Sequence, residues 1–334
     1  MYKFPQILDS TRIERLQAPN GKIRIVLDTD TYNEIDDQFA VVHALLSPDK
    51  ISVEGIYAAP FYNQRATSPG DGMEKSYEEI LRLLDRLDVP SENLAYRGSY
   101  GFLTDYEHPY NSDAVKDLIE RAMKSDKDDP LYVVAIGALT NIASAILIEP
   151  KIIERIVIVW LGGHALHWPH TVEFNLAGDV LAARLVLDCG VPLMLIPCVG
   201  VTTHLRTTVS EIEQYVQGRG AIGDYLAETF KSYNKDHFAW SKEIWDVVAI
   251  AYLINADWIP SNIVSSPIIT QRTAAMVSTQ DPTIWSTQPL VWSFDDARHL
   301  IRCAYYVERD PVFGDLFSKL DAWSKGEIKI NVSK

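Results

Sequence analysis

The chain of 334 residues lacks an excess of positive charge and lacks long apolar runs. Its 45 acidic residues outnumber 31 basic ones, which gives a formal net charge of -14 at pH 7. Long-range attraction to the anionic backbone of a nucleic acid is therefore excluded as the main interaction. Residues 1–21 contain no apolar stretch typical of a secretory signal, and no later stretch is long enough to span a bilayer. We therefore expect a cytoplasmic protein with neither a nucleic acid nor a membrane partner.

Cysteine is scarce, and repeats and flexible linkers are absent from the sequence. Cys189, Cys198 and Cys303 form no Cys-x-x-Cys pair, and an odd number leaves one unpaired in any disulfide scheme. Reduced, buried thiols fit this pattern. The length would also suit two domains, but no low-complexity tract or Gly/Ser linker marks a boundary. We predict a single domain over residues 1–334.

Apolar β-type runs alternate with helix-type segments up to about residue 200. Such runs, apolar on both faces, suit parallel strands that are covered by helices on both sides. They are IRIVL at 23–27, ISVEGIYAA at 51–59, LYVVAI at 131–136, IVIVWL at 156–161 and VPLMLIP at 191–197. The predicted fold is α/β, with a mostly parallel, Rossmann-like open sheet flanked by helices. Residues 205–334 are predicted to be a mainly helical and irregular elaboration of the same domain.

Asp28, Asp30, Asp36 and Asp37 follow the first of these strands within ten residues. Ligands of open α/β sheets bind beyond the carboxyl ends of the strands, where this cluster would lie. Crowded like charges repel one another unless a cation or a shared proton compensates. Oxygen ligands without a nearby cysteine favour Ca²⁺ or Mg²⁺ over zinc, and several carboxylates with backbone carbonyls suit Ca²⁺ better. The alternative is that Asp36 caps the following helix and the other carboxylates are solvated.

The segment IVLDTDT at 25–31 resembles the opening motif of haloacid-dehalogenase-type phosphatases, an apolar strand that ends in DxDx[TV]. That resemblance implies Asp28 as the nucleophile, Asp30 as the acid/base and Mg²⁺ as the cation that neutralises the phosphate. Such enzymes also need a downstream lysine and a further acidic motif, for which GDVLAAR at 178–184 is a poor substitute. The Asp36-Asp37 pair has no role in that scheme. A Mg²⁺ phosphatase therefore remains an alternative.

A second resemblance covers four ordered segments between residues 24 and 254. DTDTYNEIDDQFA at 28–40 is similar to DxDPGxDDAxA, the opening signature of the nucleoside hydrolases, but it is two residues longer and lacks Pro-Gly. AIGALTNIASAI at 135–146 is similar to the strand-GPLTN-helix segment of that family. VEFN at 172–175 is similar to its AEFN, and WDVVAIAYLI at 245–254 to its HDPLAVAYLI. These matches imply a nucleoside hydrolase-like fold and Ca²⁺-dependent hydrolysis of the N-glycosidic bond of a ribonucleoside.

The nucleoside hydrolase resemblance implies a metal centre at the matching positions. The Ca²⁺ ligands would be Asp30, Asp37, Asp246 and the backbone carbonyl of Ile136, a mixture that suits a hard cation of high coordination number. Asp30 would also be the general base that takes a proton from the attacking water.

The same resemblance implies how the ribose is held. Asp36 would bind the 2′-hydroxyl, while Asp28 would support the cluster from behind. Glu173 would bind the 5′-hydroxyl and Asn175 the face of the ribose, where their oxygens stabilise the positive charge that develops on the sugar. Asn63 would correspond to an asparagine after the second strand, in a loop that is one residue longer here. The alternative for Glu173 and Asn175 is hydrogen bonding to local backbone.

The side of the site that would hold the base departs from the family. Trp245 stands where many members have a histidine, and an indole can stack on a base but cannot protonate it. A purine-preferring branch is similar in having tryptophan here, so we expect a modest preference for purine nucleosides. The alternative is that Trp245 is a core residue of its helix. The family's His-Gly-Asp-Gly stretch is replaced by YRGSYGF at 96–102.

Aromatic and histidine side chains supply the remaining candidates. Phe230, Tyr233, His237 and Trp240 recur at helical spacing, which indicates either a lid over the base or core packing. His237 is the candidate for the acid that protonates the leaving base. Histidines also crowd the loop at 164–170, and His167 is predicted to bind substrate hydroxyls rather than the metal, because Ca²⁺ prefers oxygen.

The sequence thus predicts an enzyme that converts a small-molecule nucleoside into ribose and free base. Family resemblance implies a homodimer or homotetramer. A third possibility is a catalytically silent nucleoside-binding protein, which would result if the longer loop displaces Asp30. That loop contains Asn33 and Glu34, which either lie outside the cavity or reach in and change which sugar is accepted.

Overall fold

A computed structural model describes residues 4–271 and 289–330 of the chain. The described strands are β1 Ile23–Thr29, β2 Ile51–Ala58, β3 Ala95–Tyr96, β4 Leu131–Ala135, β5 Ile156–Leu161, β6 Leu193–Ile196, β7 Arg206–Thr208, β8 Ser241–Glu243, β9 Ser261–Ser265, β10 Ile268–Gln271, β11 Leu290–Ser293 and β12 Leu300–Ala304. The five apolar runs of the sequence coincide with β1, β2, β4, β5 and β6.

Eleven α-helices are described, and those of the first two hundred residues alternate with the strands. They are α1 Asp9–Arg15, α2 Asp36–Leu45, α3 Pro69–Arg86, α4 Asp113–Lys124, α5 Thr140–Ile148, α6 Phe174–Gly178, α7 Val180–Asp188, α8 Val209–Tyr215, α9 Gly220–Ser232, α10 Val247–Ile254 and α11 Arg309–Ser324. After α7, Gly190 adopts a φ of +83°, the left-handed conformation in which glycine often ends a helix.

Eight strands form the central sheet in the order β3-β2-β1-β4-β5-β6-β12-β9. Every neighbouring pair is parallel except β12 with β9. The chain runs outward from β1 in one direction through β2 and β3, and in the other through β4, β5 and β6. This reversal next to β1 opens a crevice at the carboxyl ends of β1 and β4. The predicted fold class, a single α/β domain with a mostly parallel sheet, is confirmed.

The sheet separates two apolar layers, and the alternation of side chains along β1 supplies both. Ile25 and Leu27 belong to the layer that contains the buried faces of α2, α3 and α8–α11. Val26 points to the opposite layer, which contains those of α4, α5 and α7. All residues of α2 are buried, because this helix lies between the sheet and α10. A strand buried on both faces is what a near-continuous apolar run predicts.

The segment after residue 205, predicted to be mainly helical and irregular, also contributes strands to the sheet. β12 pairs with β6 in parallel, and β9 pairs with β12 antiparallel at the edge. Two further pairs, β7 with β8 and β10 with β11, form separate two-stranded sheets. β9 mixes polar with apolar residues because its side chains are only partly buried, so it lacks the apolar run that marks β1 or β5.

Two composition-based expectations can be compared with the described residues. Cys189, Cys198 and Cys303 are all buried and form no disulfide, as predicted. Within residues 4–271 and 289–330, no helix combines the length and the apolar character needed to cross a bilayer.

Gly72 is expected to tolerate alanine poorly, because a Cβ at this position of α3 would overlap the carbonyl oxygen of Phe61. We expect Gly72→Ala to lower the free energy of unfolding by about 1–3 kcal/mol, the usual range for overpacking, as measured by urea denaturation. Gly314→Ala is the matched helical control, since a Cβ there has no neighbour within 4 Å. It should leave stability unchanged or raise it by up to about 1 kcal/mol. Equal stability of the two variants would contradict the close contact between α3 and Phe61.

Candidate active site

A cavity of about 420 Å³ opens at the carboxyl ends of the central strands, where the topology predicts a crevice. Most of the side chains that the sequence nominated for a site line it. They are Asp30, Asp36, Asp37, Asn63, Glu173, Asn175, Trp245 and Asp246, together with Ile136. These residues come from the loops after β1, β2, β4 and β5 and from the segment before α10. The fold therefore gathers residues from distant parts of the chain into one cavity.

Three carboxylates meet at the floor of this cavity. One oxygen each of Asp36, Asp37 and Asp246 lies within 4.8 Å of the other two. Asp36 and Asp37 begin α2, whereas Asp246 directly precedes α10. Since α2 and α10 pack side by side, their amino ends lie together. The partial positive charge of two helix ends favours carboxylates at this point.

The carboxylates are buried, and their charges repel one another. Burial raises the pKa of Asp37 and Asp246 well above the usual range, and the neighbouring carboxylates raise it further. Burial also raises the pKa of Asp36 to about 7, against the opposing effect of Lys242. A carboxylate oxygen of Asp37 lies within 4.8 Å of one of Asp246, so each raises the cost of ionising the other. The cluster therefore calls for protons or a cation to compensate its charge.

Asp30 stands beside this group of three but is not part of it. Its side chain is almost fully buried, and neither of its carboxylate oxygens has a hydrogen-bond partner in another described residue. Burial raises its pKa, and repulsion from Asp37 and Asp36 adds to the effect. Gly137 permits this position, because a Cβ there would lie 3.2 Å from Asp30 Oδ1. Buried, unpaired carboxylate oxygens beside an acidic cluster fit a hard cation, which prefers such ligands.

Asp28 is held from behind by a residue that the sequence reasoning did not assign. Asn141 donates from Nδ2 to Asp28 Oδ2 at 2.9 Å, and its own Oδ1 accepts from the backbone and hydroxyl of Ser99. Burial raises the pKa of Asp28 to about 7, and the Asn141 hydrogen bond opposes this. Asp28 is not among the residues that line the cavity, so the nucleophile of the phosphatase alternative would be out of reach. Asn141 lies in the ALTN segment at 138–141, and that segment was the feature of the sequence that could have identified it.

Glu173 and Asn175 line the cavity while bonding to local backbone. The Glu173 carboxylate caps α6 and accepts from the backbone of Gly163 at 2.8 Å and of Asn175 at 2.9 Å. Asn175 donates from Nδ2 to the carbonyls of Ile136 at 3.1 Å and Leu161 at 3.0 Å. The two interpretations of this pair are thus compatible. The carbonyl predicted as a metal ligand already accepts one hydrogen bond and retains a second lone pair.

Two predicted histidines lie outside the cavity lining. His167 is exposed, and His164 lines the cavity in its place. His164 Nδ1 accepts from the backbone of Val199 at 3.3 Å, and burial lowers its pKa to about 4. His237 is exposed, its Nε2 donates to the carbonyl of Lys231 at 2.9 Å, and its ring stacks on Trp240. The geometry does not bring His237 to a leaving base.

The aromatic stripe that could have formed a lid is divided between core and surface. Phe230 is fully buried and packs against Trp240, whereas the exposed His237 covers the outer face of that indole. Tyr233 points instead toward the loop after β1, where its hydroxyl donates to Glu34 at 2.8 Å. Core packing therefore explains Phe230 and Trp240.

The longer loop after β1 reaches into the cavity. Asn33 and Glu34 both line it, together with Gln64 and Cys198, which the sequence reasoning did not assign to the site. Asn63 donates from Nδ2 to Asn33 Oδ1 at 2.6 Å, so this predicted sugar ligand is already engaged by the loop. The greater length of the loop drew attention to Asn33 and Glu34, but it did not indicate whether their side chains point into the cavity or away from it.

Comparison with known proteins identifies relatives over most of the chain. A sequence model of the family described as inosine-uridine preferring nucleoside hydrolase matches residues 25–312. A pyrimidine-specific ribonucleoside hydrolase, RihB, of Escherichia coli O1:K1 is 31% identical over 156 residues, which are 45% of this chain and 49% of that protein. A putative pyrimidine-specific ribonucleoside hydrolase RihB of Shigella boydii serotype 4 is 32% identical over 153 residues, 44% of this chain and 62% of that protein. The match thus spans about half the length of these curated relatives.

Solved structures with the same fold match nearly the whole chain. A purine-preferring ribonucleoside hydrolase from Gardnerella vaginalis superimposes with a TM-score of 0.69 at 21% identity, covering 90% of this chain and 99% of that one. An inosine-uridine preferring nucleoside hydrolase from Bacillus anthracis gives a TM-score of 0.62 at 18% identity, with coverages of 90% and 99%. At these identities the likeness shows the fold.

Relieving the repulsion at the cavity floor is expected to stabilise the protein. Asp246→Asn removes one buried charge and puts an amide beside the carboxylates of Asp36 and Asp37. In chelator at pH 8 we expect the free energy of unfolding to rise by about 0.5–2 kcal/mol, the usual gain where a site had been costly to maintain. Asp49→Asn, at an exposed turn, is the control and should change nothing. Destabilisation by Asp246→Asn in urea denaturation would contradict the account of mutual repulsion.

Proposed function

The chain belongs to the inosine-uridine preferring nucleoside hydrolase family, and we propose that it hydrolyses the N-glycosidic bond of ribonucleosides. The observation that carries this proposal is the cavity itself, which is lined by the buried carboxylates of Asp30, Asp36, Asp37 and Asp246 together with Glu173. Water supplies a hydroxyl group to C1′ of the ribose while the bond from C1′ to the base breaks. The proton that is left over from water ends on the departing base. The products are ribose and free base.

Ca²⁺ is the proposed cofactor. Asp30, Asp37 and Asp246, with the carbonyl of Ile136, would hold it, and the proximity of Asp36 to Asp37 and Asp246 lets Asp36 serve either the cation or a ribose hydroxyl. Support comes from the unpaired oxygens of Asp30 and from the absence of nitrogen ligands in the described cluster. When bound, such a cation makes water more acidic and attracts the hydroxyls of a sugar.

Asp30 is the proposed general base. Its burial and its charged neighbours raise its pKa, which makes the carboxylate a stronger base than a solvated aspartate. Glu173 and Asn175, which line the same cavity, would place oxygens toward the ribose as positive charge develops on it. Asn141 acts indirectly by fixing Asp28 behind the cluster. These residues bind, orient and accept a proton.

Trp245 is the proposed contact for the base, because it is only partly buried and lines the cavity. An indole gains more from stacking on a two-ring base than on a one-ring base, so we retain the expectation of a modest purine preference. The curated relatives are pyrimidine-specific, which makes the preference a question for measurement. The exposed position of His237 gives no support to its predicted role, and activation of the base would rest on stacking.

A catalytically silent nucleoside-binding protein is the second candidate. The observation in its favour is that Asp30 stands outside the group formed by Asp36, Asp37 and Asp246. The oligomeric state, a homodimer or homotetramer, and a cytoplasmic location stay predictions.

Hydrolysis should be visible as release of reducing sugar from a panel of purine and pyrimidine ribonucleosides. We expect turnover with Ca²⁺, loss of turnover with chelator and recovery when Ca²⁺ is returned. Ca²⁺ at a hundred times its dissociation constant should also add about 2.7 kcal/mol to the free energy of unfolding. Tight binding of a ribose analogue without release of sugar would support the silent alternative. No release together with no effect of chelator on the melting temperature would contradict both the reaction and the metal.

Replacing the proposed base separates the two enzymatic interpretations. We expect Asp30→Asn to lower kcat about 10²–10⁴-fold, the contribution of general base catalysis, while the substrate still binds. Asp28→Asn should be milder, because the amide keeps its place behind the cluster. The phosphatase alternative expects the opposite order, with Asp28→Asn abolishing turnover of a generic phosphate ester. Steady-state kinetics of both variants on nucleosides and on such an ester distinguishes these outcomes.

A further inference from the structure

Glu34 is a cavity residue whose side chain is tied to two distant segments of the chain. Tyr233 donates from its hydroxyl to Glu34 Oε1 at 2.8 Å, and Lys242 donates from Nζ to Glu34 Oε2 at 2.6 Å. Lys242 is 8% exposed and Glu34 is partly buried, so water weakens this ion pair less than it would on an open surface. Each oxygen of the carboxylate is therefore fixed in position before any substrate enters.

Asn33, the residue before Glu34, is anchored as well. Asn33 accepts from Asn63 Nδ2 at 2.6 Å, which ties the loop to the segment after β2. The Arg65 guanidinium lies over the ring of Tyr233 at 5.3 Å, and Lys242 Nζ lies 5.1 Å from the centre of the same ring. The loop is thus tied to the segment after β2 through Asn63 and to the later part of the chain through Tyr233 and Lys242. Ordering that is complete before binding removes an entropic cost from recognition.

The free capacity of Glu34 determines what it can recognise. Each carboxylate oxygen accepts about two hydrogen bonds, and Tyr233 and Lys242 use one on each oxygen. The remaining lone pairs accept from N–H or O–H groups and repel carbonyl oxygens. An ionised acceptor also makes stronger hydrogen bonds than a neutral one. The group that Glu34 meets must therefore be a donor.

Neighbouring residues indicate which part of a nucleoside reaches Glu34. Asp36 follows two residues later, at the start of α2. The charge of Glu34 raises the pKa of Asp36, and the charge of Lys242 lowers it. Lys242 in β8 lies three residues before Trp245, the proposed contact for the base. Glu173 and Asn175, the proposed sugar contacts, belong instead to the loop after β5 and to α6. Because Lys242 joins Glu34 to the segment that leads into Trp245, and both Glu34 and Trp245 line the cavity, we assign Glu34 to the base rather than to the ribose that Asp36 would bind.

Resting on the proposed function, we propose that Glu34 is a specificity-determining residue that accepts a hydrogen bond from an exocyclic amino group of the base. Nucleosides of adenine and cytosine type carry such a group, whereas their oxo counterparts present a carbonyl oxygen at the same ring position. Tyr233 and Lys242 are positioning residues for this carboxylate. The selection is for amino over oxo bases and applies to purines and pyrimidines alike.

The test compares kcat/KM for two matched pairs, adenosine with inosine and cytidine with uridine, in the wild-type protein and in Glu34→Gln. We expect the wild type to favour the amino member of each pair by about tenfold or more, the effect of one hydrogen bond to a charged group. Glu34→Gln keeps the shape of the side chain but adds a donor and removes the charge, so the ratio should fall toward one. The change should arise from a lower kcat/KM for the amino nucleosides, while kcat/KM for the oxo nucleosides stays the same or rises.

Two outcomes overturn the inference while leaving the proposed reaction intact. One is a wild-type enzyme whose amino-to-oxo ratio survives in Glu34→Gln, and the other is an equal loss on all four nucleosides, which would indicate a sugar contact. Absence of turnover of any nucleoside by the wild type would instead overturn the proposed reaction, and the inference with it.

Two control variants complete the experiment. Tyr233→Phe keeps the ring but removes one of the hydrogen bonds to Glu34, so the ratio should fall by a smaller factor than in Glu34→Gln. An unchanged ratio in Tyr233→Phe would contradict the positioning role. Glu120→Gln removes an exposed carboxylate from α4, and it should leave both the ratio and the rates unchanged.

Discussion

Mutual repulsion among buried carboxylates is the constraint on which the rest of this structure depends. Asp36, Asp37 and Asp246 are held together at the amino ends of α2 and α10, with Asp30 beside them. Repulsion would separate or solvate them if the surrounding packing allowed it. The wholly buried α2, the apolar α10 and the glycine at 137 leave them no such freedom. The apolar core therefore supplies the free energy that keeps the charges close, and the site inherits a demand for a compensating charge.

Sequence patterns predicted the elements whose residues are mostly apolar. The strands β1, β4 and β5 are apolar because both faces are covered, and that composition is readable without a partner. β9 and β12 carry polar and apolar residues side by side, and only their pairing at the sheet edge makes them strands. Residues 272–288, which belong to the segment predicted to be mainly helical and irregular, lie outside the described residues.

The site followed the same division between local and long-range information. The aspartates after β1 by themselves indicate a charged site at the end of that strand. The ordered motifs predicted Glu173, Asn175 and Asp246, which line the same cavity. The choice of His167 over His164 depended on the direction of a turn, which spacing does not encode. The bond from Asn141 to Asp28 joins residues 113 positions apart, and the one from Lys242 to Glu34 joins residues 208 positions apart. Contacts of that range are products of topology.

The pairing of α2 with α10 has a consequence for the order in which the molecule can mature. The ribosome synthesises Glu34, Asp36 and Asp37 long before Lys242, which bonds to Glu34, and Asp246, which lies beside the two aspartates. During that interval α2, which is completely buried in the finished protein, lacks the contact with α10 on one side. An amino-terminal fragment can form the pairing of β1 with β2 and β4, yet it carries only part of the chemistry. Completion of the cavity is therefore a late event in biosynthesis, tied to the docking of the last third of the chain.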